Sequence, residues 1–113
     1  MARAKPRKTK APDEKDIDEL ISEALVDSYG EAEERMSMAI AVAEGVECPF
    51  ETEVLGLPVT VERLAESDDG SVVAVCRNKA GKQNIPLLDL PLPAPPPRGV
   101  EWIEAYRRFH GVG

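Results

Sequence analysis

The sequence predicts an α+β domain: two N-terminal helices, a small SH3-like antiparallel barrel, a proline-rich strap and a closing C-terminal helix. Three observations carry this reading. Apolar residues recur at helical spacing as far as about residue 45; from Cys48 onward the period falls towards two, with turns at short intervals; and five prolines crowd residues 88–98, ahead of an aromatic stripe. At 113 residues, 42% apolar and 31% charged, the chain has the size and composition of one small folded domain. Residues 1–11 read as a disordered basic tail and 12–113 as a single domain. Within that domain, 12–45 form the helical front, 46–90 the barrel, and 91–113 the strap and closing helix.

The first helix is expected from Asp13 to Val26, where Ile17, Leu20, Ile21, Ala24 and Leu25 share one face. Asp13, Glu14 and Asp16 sit at its start, where the helix dipole favours negative charge. A second helix is expected from about Tyr29 to Glu44. Ser28 and Glu31 have capping-box spacing, Gly45 is placed to end the helix in a left-handed conformation, and Ala32, Met36, Ala39, Ile40 and Ala43 form the apolar stripe. Four strands follow: Glu51–Leu55, Val59–Leu64, Val72–Arg77 and Lys82–Leu87. Their turns fall at Gly56-Leu57-Pro58, Ser67-Asp68-Asp69-Gly70 and Asn78-Lys79-Ala80-Gly81.

The proline run demands extended geometry, and the alternation of Leu88, Leu90 and Leu92 favours a strap laid across the domain over a free SH3 or WW ligand. Val100–Phe109 closes the chain as a helix with Trp102, Ala105, Tyr106 and Phe109 on one face. The expected core is Ile17, Leu20, Ile21, Met36, Ile40, Phe50, Val54, Val61, Val73, Val75, Ile85, Trp102, Tyr106 and Phe109.

Charge is unevenly spread. The net charge is −7 and the pI about 4.7. Residues 1–11 hold five bases and no acid, 13–53 hold fourteen acids against Lys15 and Arg35, and 54–113 are balanced. An acidic domain repels phosphate backbones, so nucleic acid is expected to engage the basic tail if it engages the chain at all. No apolar run approaches the roughly 20 residues that cross a bilayer, so no membrane span is expected. The basic start is not followed by the apolar segment of a secretory signal.

Catalytic chemistry finds little support, and the chain is not expected to be an enzyme. Cys76 lies in an apolar strand, and Cys48 sits near carboxylates that disfavour its thiolate. His110 is close to the C-terminus, and no glycine-rich phosphate loop or nucleophile elbow occurs. Two cysteines and one histidine cannot by themselves build a zinc site.

Oxygen is abundant instead. Calcium takes six to eight oxygen ligands from carboxylates, carbonyls and water, and a helix C-terminus offers unpaired carbonyls with a partial negative charge. The expected end of the second helix, Ala43-Glu44-Gly45-Val46-Glu47-Cys48-Pro49-Phe50-Glu51, combines these features. Glu44, Glu47 and Glu51 are the candidate metal ligands, and no base lies between Arg35 and Arg63 in sequence. The same composition also describes a solvated acidic surface. No EF-hand loop is present.

Asp27-Ser28-Tyr29-Gly30-Glu31, followed by Glu33, Met36, Glu44 and Pro49-Phe50, resembles the small calcium-binding proteins of the cyanobacterial CcbP type. Val59-Thr-Val-Glu-Arg63, Ile85-Pro-Leu-Leu-Asp-Leu-Pro-Leu-Pro93 and Glu101-Trp-Ile-Glu-Ala-Tyr106 resemble bacterial sequences grouped with that type. The resemblance covers about residues 16–109. It implies a small, acidic, cytoplasmic protein that buffers or senses calcium, holding Ca2+ partly through an acidic side chain at the end of the second helix and partly through nearby carbonyls. Glu44 matches that acid, with the longer Glu where the cyanobacterial type has Asp. A weak site is expected, on the order of 10⁻⁵ to 10⁻³ M. The alternative is a partner-binding adaptor on an SH3-like barrel whose basic tail contacts nucleic acid or an acidic protein.

Overall fold

The computed structural model describes residues 14–111; the basic segment 1–11 lies outside the described residues. Helix α1 spans Glu14–Ala24 and α2 spans Glu31–Gly45. Strands β1 (Phe50–Val54), β2 (Leu57–Glu66), β3 (Val72–Asn78) and β4 (Gly81–Pro86) follow, and α3 (Val100–Phe109) closes the fold. The class is therefore α+β. Among the described residues no helix is long and apolar enough to cross a membrane.

The four strands form an antiparallel meander in the order β1-β2-β3-β4. The sheet stays open, with β1 and β4 at its edges, so the closure expected of a barrel is not seen. The reason lies in β4. Its first four residues are exposed and only Ile85 is buried, so this strand reaches past the core instead of curling back to β1. Helices and strap cover the inner face in place of closure. Helix α2 lies on β2 and β3, while α3 packs against both α1 and α2. The core joins Met38, Ala39 and Val42 of α2 to Val59, Val61, Leu64, Val72, Ala74 and Cys76 of the sheet and Ile103, Ala105 and Tyr106 of α3.

Two stripes differ from expectation. On α2 the buried residues are Met38, Ala39 and Val42, whereas Met36 is half-buried and Ile40 exposed. The composition there is apolar nearly all round, so spacing alone does not select a face; contact with β2 and α3 does. On β3 the inward residues are Val72, Ala74 and Cys76, and Val73 and Val75 take the outer face. Every position from Val72 to Cys76 is apolar, which leaves the parity open. It is fixed by pairing with β2, where a bulge between Val61 and Arg63 makes Glu62 the extra residue and lets Val61 and Leu64 both point inward. Leu20, Ile21, Phe50, Val54, Trp102 and Phe109 pack partly buried around this core, while Ile17, Val61, Ile85 and Tyr106 lie within it.

The turns show similar small displacements. The β1–β2 loop is Leu55-Gly56, one residue earlier than expected, with Val54 paired to Leu57 and φ of 54° and 80° at the two loop residues. Positive φ at both positions matches the twist of a two-residue hairpin loop. The β2–β3 turn is as expected: Gly70 has φ 84°, and the Asp69 carboxylate accepts hydrogen bonds from the Ser71 backbone N–H (3.0 Å) and hydroxyl (2.7 Å). Beyond β4, Leu87–Asp89 form a single 3-10 turn, Leu90 is extended, and the proline run does not stay extended throughout: it bends at Ala94-Pro95, where the peptide bond is cis. Leu87 and Leu90 enter the core, and the Thr52 hydroxyl donates to the Pro91 carbonyl at 2.7 Å. The stretch from Leu87 to Pro91 is thus held against the domain.

Candidate metal centre

Helix α2 delivers its C-terminal end to the junction between strap and α3. Gly45 does not terminate the helix in a left-handed conformation; it is the last helical residue, and its φ is not positive. Its small size serves packing. A Cβ built on Gly45 would lie 2.3 Å from Cδ1 and 2.7 Å from Nε1 of Trp102, so the indole occupies the space a side chain would need. Gly99, at φ 86°, closes the other side: a Cβ there would fall 1.9 Å from the Gly45 carbonyl oxygen. The Glu47 N–H donates to the Arg98 carbonyl at 2.9 Å, and the Val46 N–H to the Val42 carbonyl at 3.3 Å.

Those bonds determine which oxygens remain. Because Glu47 N–H is directed to Arg98, the Ala43 carbonyl is left without its i+4 donor. The Gly45 carbonyl is covered by Gly99. Beside Ala43, Glu44 is exposed, and the last turn of α2 contains no base. An exposed carboxylate residue, Glu44, therefore follows directly in sequence the residue whose carbonyl lacks its helical donor, in the last turn of α2 at the negative end of the helix dipole.

Glu47 and Glu51 are also exposed, but they do not complete a cage. The Arg98 Nε lies 4.0 Å from Glu47 Oε1, with both side chains largely in solvent. Sequence reasoning found no base near this turn because Arg98 lies fifty-one positions further along; only the Glu47–Arg98 backbone bond brings it there. Glu51 belongs to β1, opposite Thr60, on the outer face of an edge strand. Among the described residues, no three His, Cys, Asp or Glu side chains lie close enough together to hold a metal ion. The donor set here does not form a protein-only calcium cage.

The thiols are poor nucleophiles. Burial pushes the Cys48 thiol up, with the charge of Glu47 adding to the effect and a hydrogen bond from the Leu64 backbone opposing it. Burial likewise raises the Cys76 thiol. The Asp69 carboxyl is held below the usual range, chiefly by its bonds to the Ser71 hydroxyl and N–H. That carboxylate is committed to its own turn and does not define a second metal site.

Comparison with protein-family models, with curated proteins and with solved structures finds no match to this chain.

Proposed function

We propose that this protein binds calcium ions weakly at the C-terminal end of α2, as a calcium buffer or sensor of the kind the sequence resemblance implies. The observation that supports it is an exposed Glu44 in the last turn of α2, next in sequence to Ala43, whose carbonyl lacks its i+4 donor, at a helix end with no base in that turn. In this reading Glu44 is the primary ligand. Glu47 contributes once it leaves Arg98, Glu51 acts as a longer-range negative charge, and water fills the remaining positions. A shell built mainly of water does not exclude Mg2+, which keeps several waters of its own and binds through one or two carboxylates, so Mg2+ competes at this site. Calorimetric titration of the full chain with Ca2+, repeated on Glu44→Gln, tests this. Millimolar or somewhat tighter binding that weakens severalfold in the variant supports the assignment; identical binding by both proteins removes Glu44 from it.

A second reading is favoured by one specific feature. Leu55 is 96% exposed and Leu57 60% exposed, together at the tip of the β1–β2 hairpin. An adaptor would present such a tip to a protein partner. The consecutive antiparallel strands, bulged at Glu62 and joined by tight turns, are the parts from which a small SH3-like barrel is assembled, and the finer likeness to that fold belongs to this same reading. Deleting residues 1–11 separates the two functions: it abolishes partner binding by a tail-dependent adaptor and leaves calcium binding unchanged.

A further inference from the structure

His110 is the chain's only histidine, and it directly follows the last residue of α3. Its backbone N–H donates to the Tyr106 carbonyl at 3.1 Å, holding the imidazole against the helix end. The ring meets Tyr106 edge-on at 4.5 Å between centroids and Phe109 at 5.1 Å. Its Nε2 is buried and has no hydrogen-bond partner among the described residues.

The charges around this ring come from several elements. Burial, and secondarily the positive charge of Arg35 on α2, disfavours protonation of the imidazole. Asp69, in the β2–β3 turn, acts on Tyr106 and is itself influenced by Arg35, but its Oδ1 is already bonded by Ser71. The Tyr106 hydroxyl accepts the Val72 N–H at 2.9 Å, tying α3 to the start of β3. On the α1 side, the Arg108 guanidinium pairs with Asp18 at 3.2 Å. Gly70 backs onto Arg35, where a Cβ would come within 2.8 Å of the arginine Cβ, so the turn holds that residue close.

We infer that His110 is a proton-operated latch: the neutral imidazole packs on Tyr106 and Phe109 with its Nε2 buried and unpartnered, and protonation releases it. A neutral ring tolerates the aromatic cage, whereas an imidazolium needs acceptors at both nitrogens. Here Nε2 faces none, and the charge acting on the ring is a second cation. Burial first, and Arg35 second, hold the imidazole below its ordinary value near 6.5. The sign follows. A base depressed in the folded state binds fewer protons there than when released, so the latch holds fully above about pH 6.5 and is lost as pH falls through that value towards the folded one. The link next in line is Tyr106 to Val72, one helical turn away.

Heteronuclear NMR of the full chain between pH 7.5 and 5 tests the latch. The expected result is that the His110 ring titrates below the free-imidazole value and that the Tyr106, Val72 and Gly111 amides shift along the same curve. In His110→Phe, which keeps an aromatic ring but cannot take up a proton, those amides lose the shared shift. A His110 ring titrating at the ordinary value with Val72 and Tyr106 unmoved overturns the inference, and so does persistence of the shared shift in the variant. The wild-type titration decides on its own if the variant does not fold.

Discussion

Replacing Gly45 by Ala sets two physical effects against each other with opposite signs. Gly45 closes α2 in helical conformation, and helix propensity alone predicts that Ala stabilises such a position by roughly 0.5–1 kcal/mol. Packing predicts the reverse. The new Cβ would lie 2.3, 2.7 and 2.9 Å from Cδ1, Nε1 and Cγ of Trp102, and real Cβ atoms do not approach side-chain atoms so closely. The indole is rigid and sits between α2 and the core, so it cannot evade the contact by flexing a terminal atom. Overpacking of this kind costs about 1–3 kcal/mol; an approach of 2.3 Å to a rigid ring belongs at the upper end, and about 3 less the propensity gain leaves a net loss of about 2–2.5 kcal/mol. In a domain of about 100 residues that lowers the melting temperature by roughly 4–8 °C per kcal/mol. Urea denaturation followed by circular dichroism reads the change without depending on the tryptophan. The double variant Gly45→Ala with Trp102→Leu should recover part of the loss expected from summing the two single variants, because the clash is shared between them. A Gly45→Ala protein as stable as the parent, or more so, refutes the close packing of indole on α2 and with it the account of how the strap junction is held.

Other variants probe separate links. Leu55, at φ 54° and almost wholly exposed, holds a left-handed conformation that disfavours a branched side chain, so Leu55→Asn should raise stability by about 1 kcal/mol in the same denaturation assay; a loss would mean that the leucine makes contacts at the hairpin tip. Tyr106→Phe removes the acceptor of the buried Val72 N–H and should cost about 1–3 kcal/mol, with Val72 the amide whose exchange protection falls most. Arg98→Gln frees the Glu47 carboxylate from an exposed pair, so calcium affinity should rise by a factor of about 1.5–5, the gain shrinking as salt is added.

What the sequence makes legible here depends on how strongly each segment is patterned. Helix α3 is amphipathic with few competing choices, and its Tyr106 and Ala105 lie where spacing places them, although Ile103 joins them in the core. The β2–β3 turn is equally plain, since Asp69 and Gly70 supply the side-chain acceptor and the positive φ that the turn requires. Where a segment is apolar all round, pattern stops deciding. Met38 displaces Met36 and Ile40 on α2, and Ala74 and Cys76 displace Val73 and Val75 on β3, because the choice is made by a neighbouring element. Ser28 shows the same limit at a helix start. Its hydroxyl bonds Ser37 at 2.6 Å and not the helix N-terminus, and Glu33, two residues beyond the expected partner Glu31, takes the Tyr29 N–H at 2.8 Å. The candidate site is legible as a place and not as a shell. Glu44 stands at the end of α2 as expected, but Arg98 and Gly99 reach that end from across the fold, and no local spacing could have revealed them.

The central claim is calcium at the end of α2, and amide NMR of the full chain during a Ca2+ titration tests it most directly. The account predicts saturable shifts of the Ala43–Glu47 amides, smaller shifts at Arg98 and Gly99 across the backbone bond, and weakening of all of them in Glu44→Gln without loss of the folded spectrum. Shifts of the same size and midpoint in the Gln variant, a response confined to Asp68 and Asp69, or no response near Glu44 at millimolar Ca2+ would contradict it.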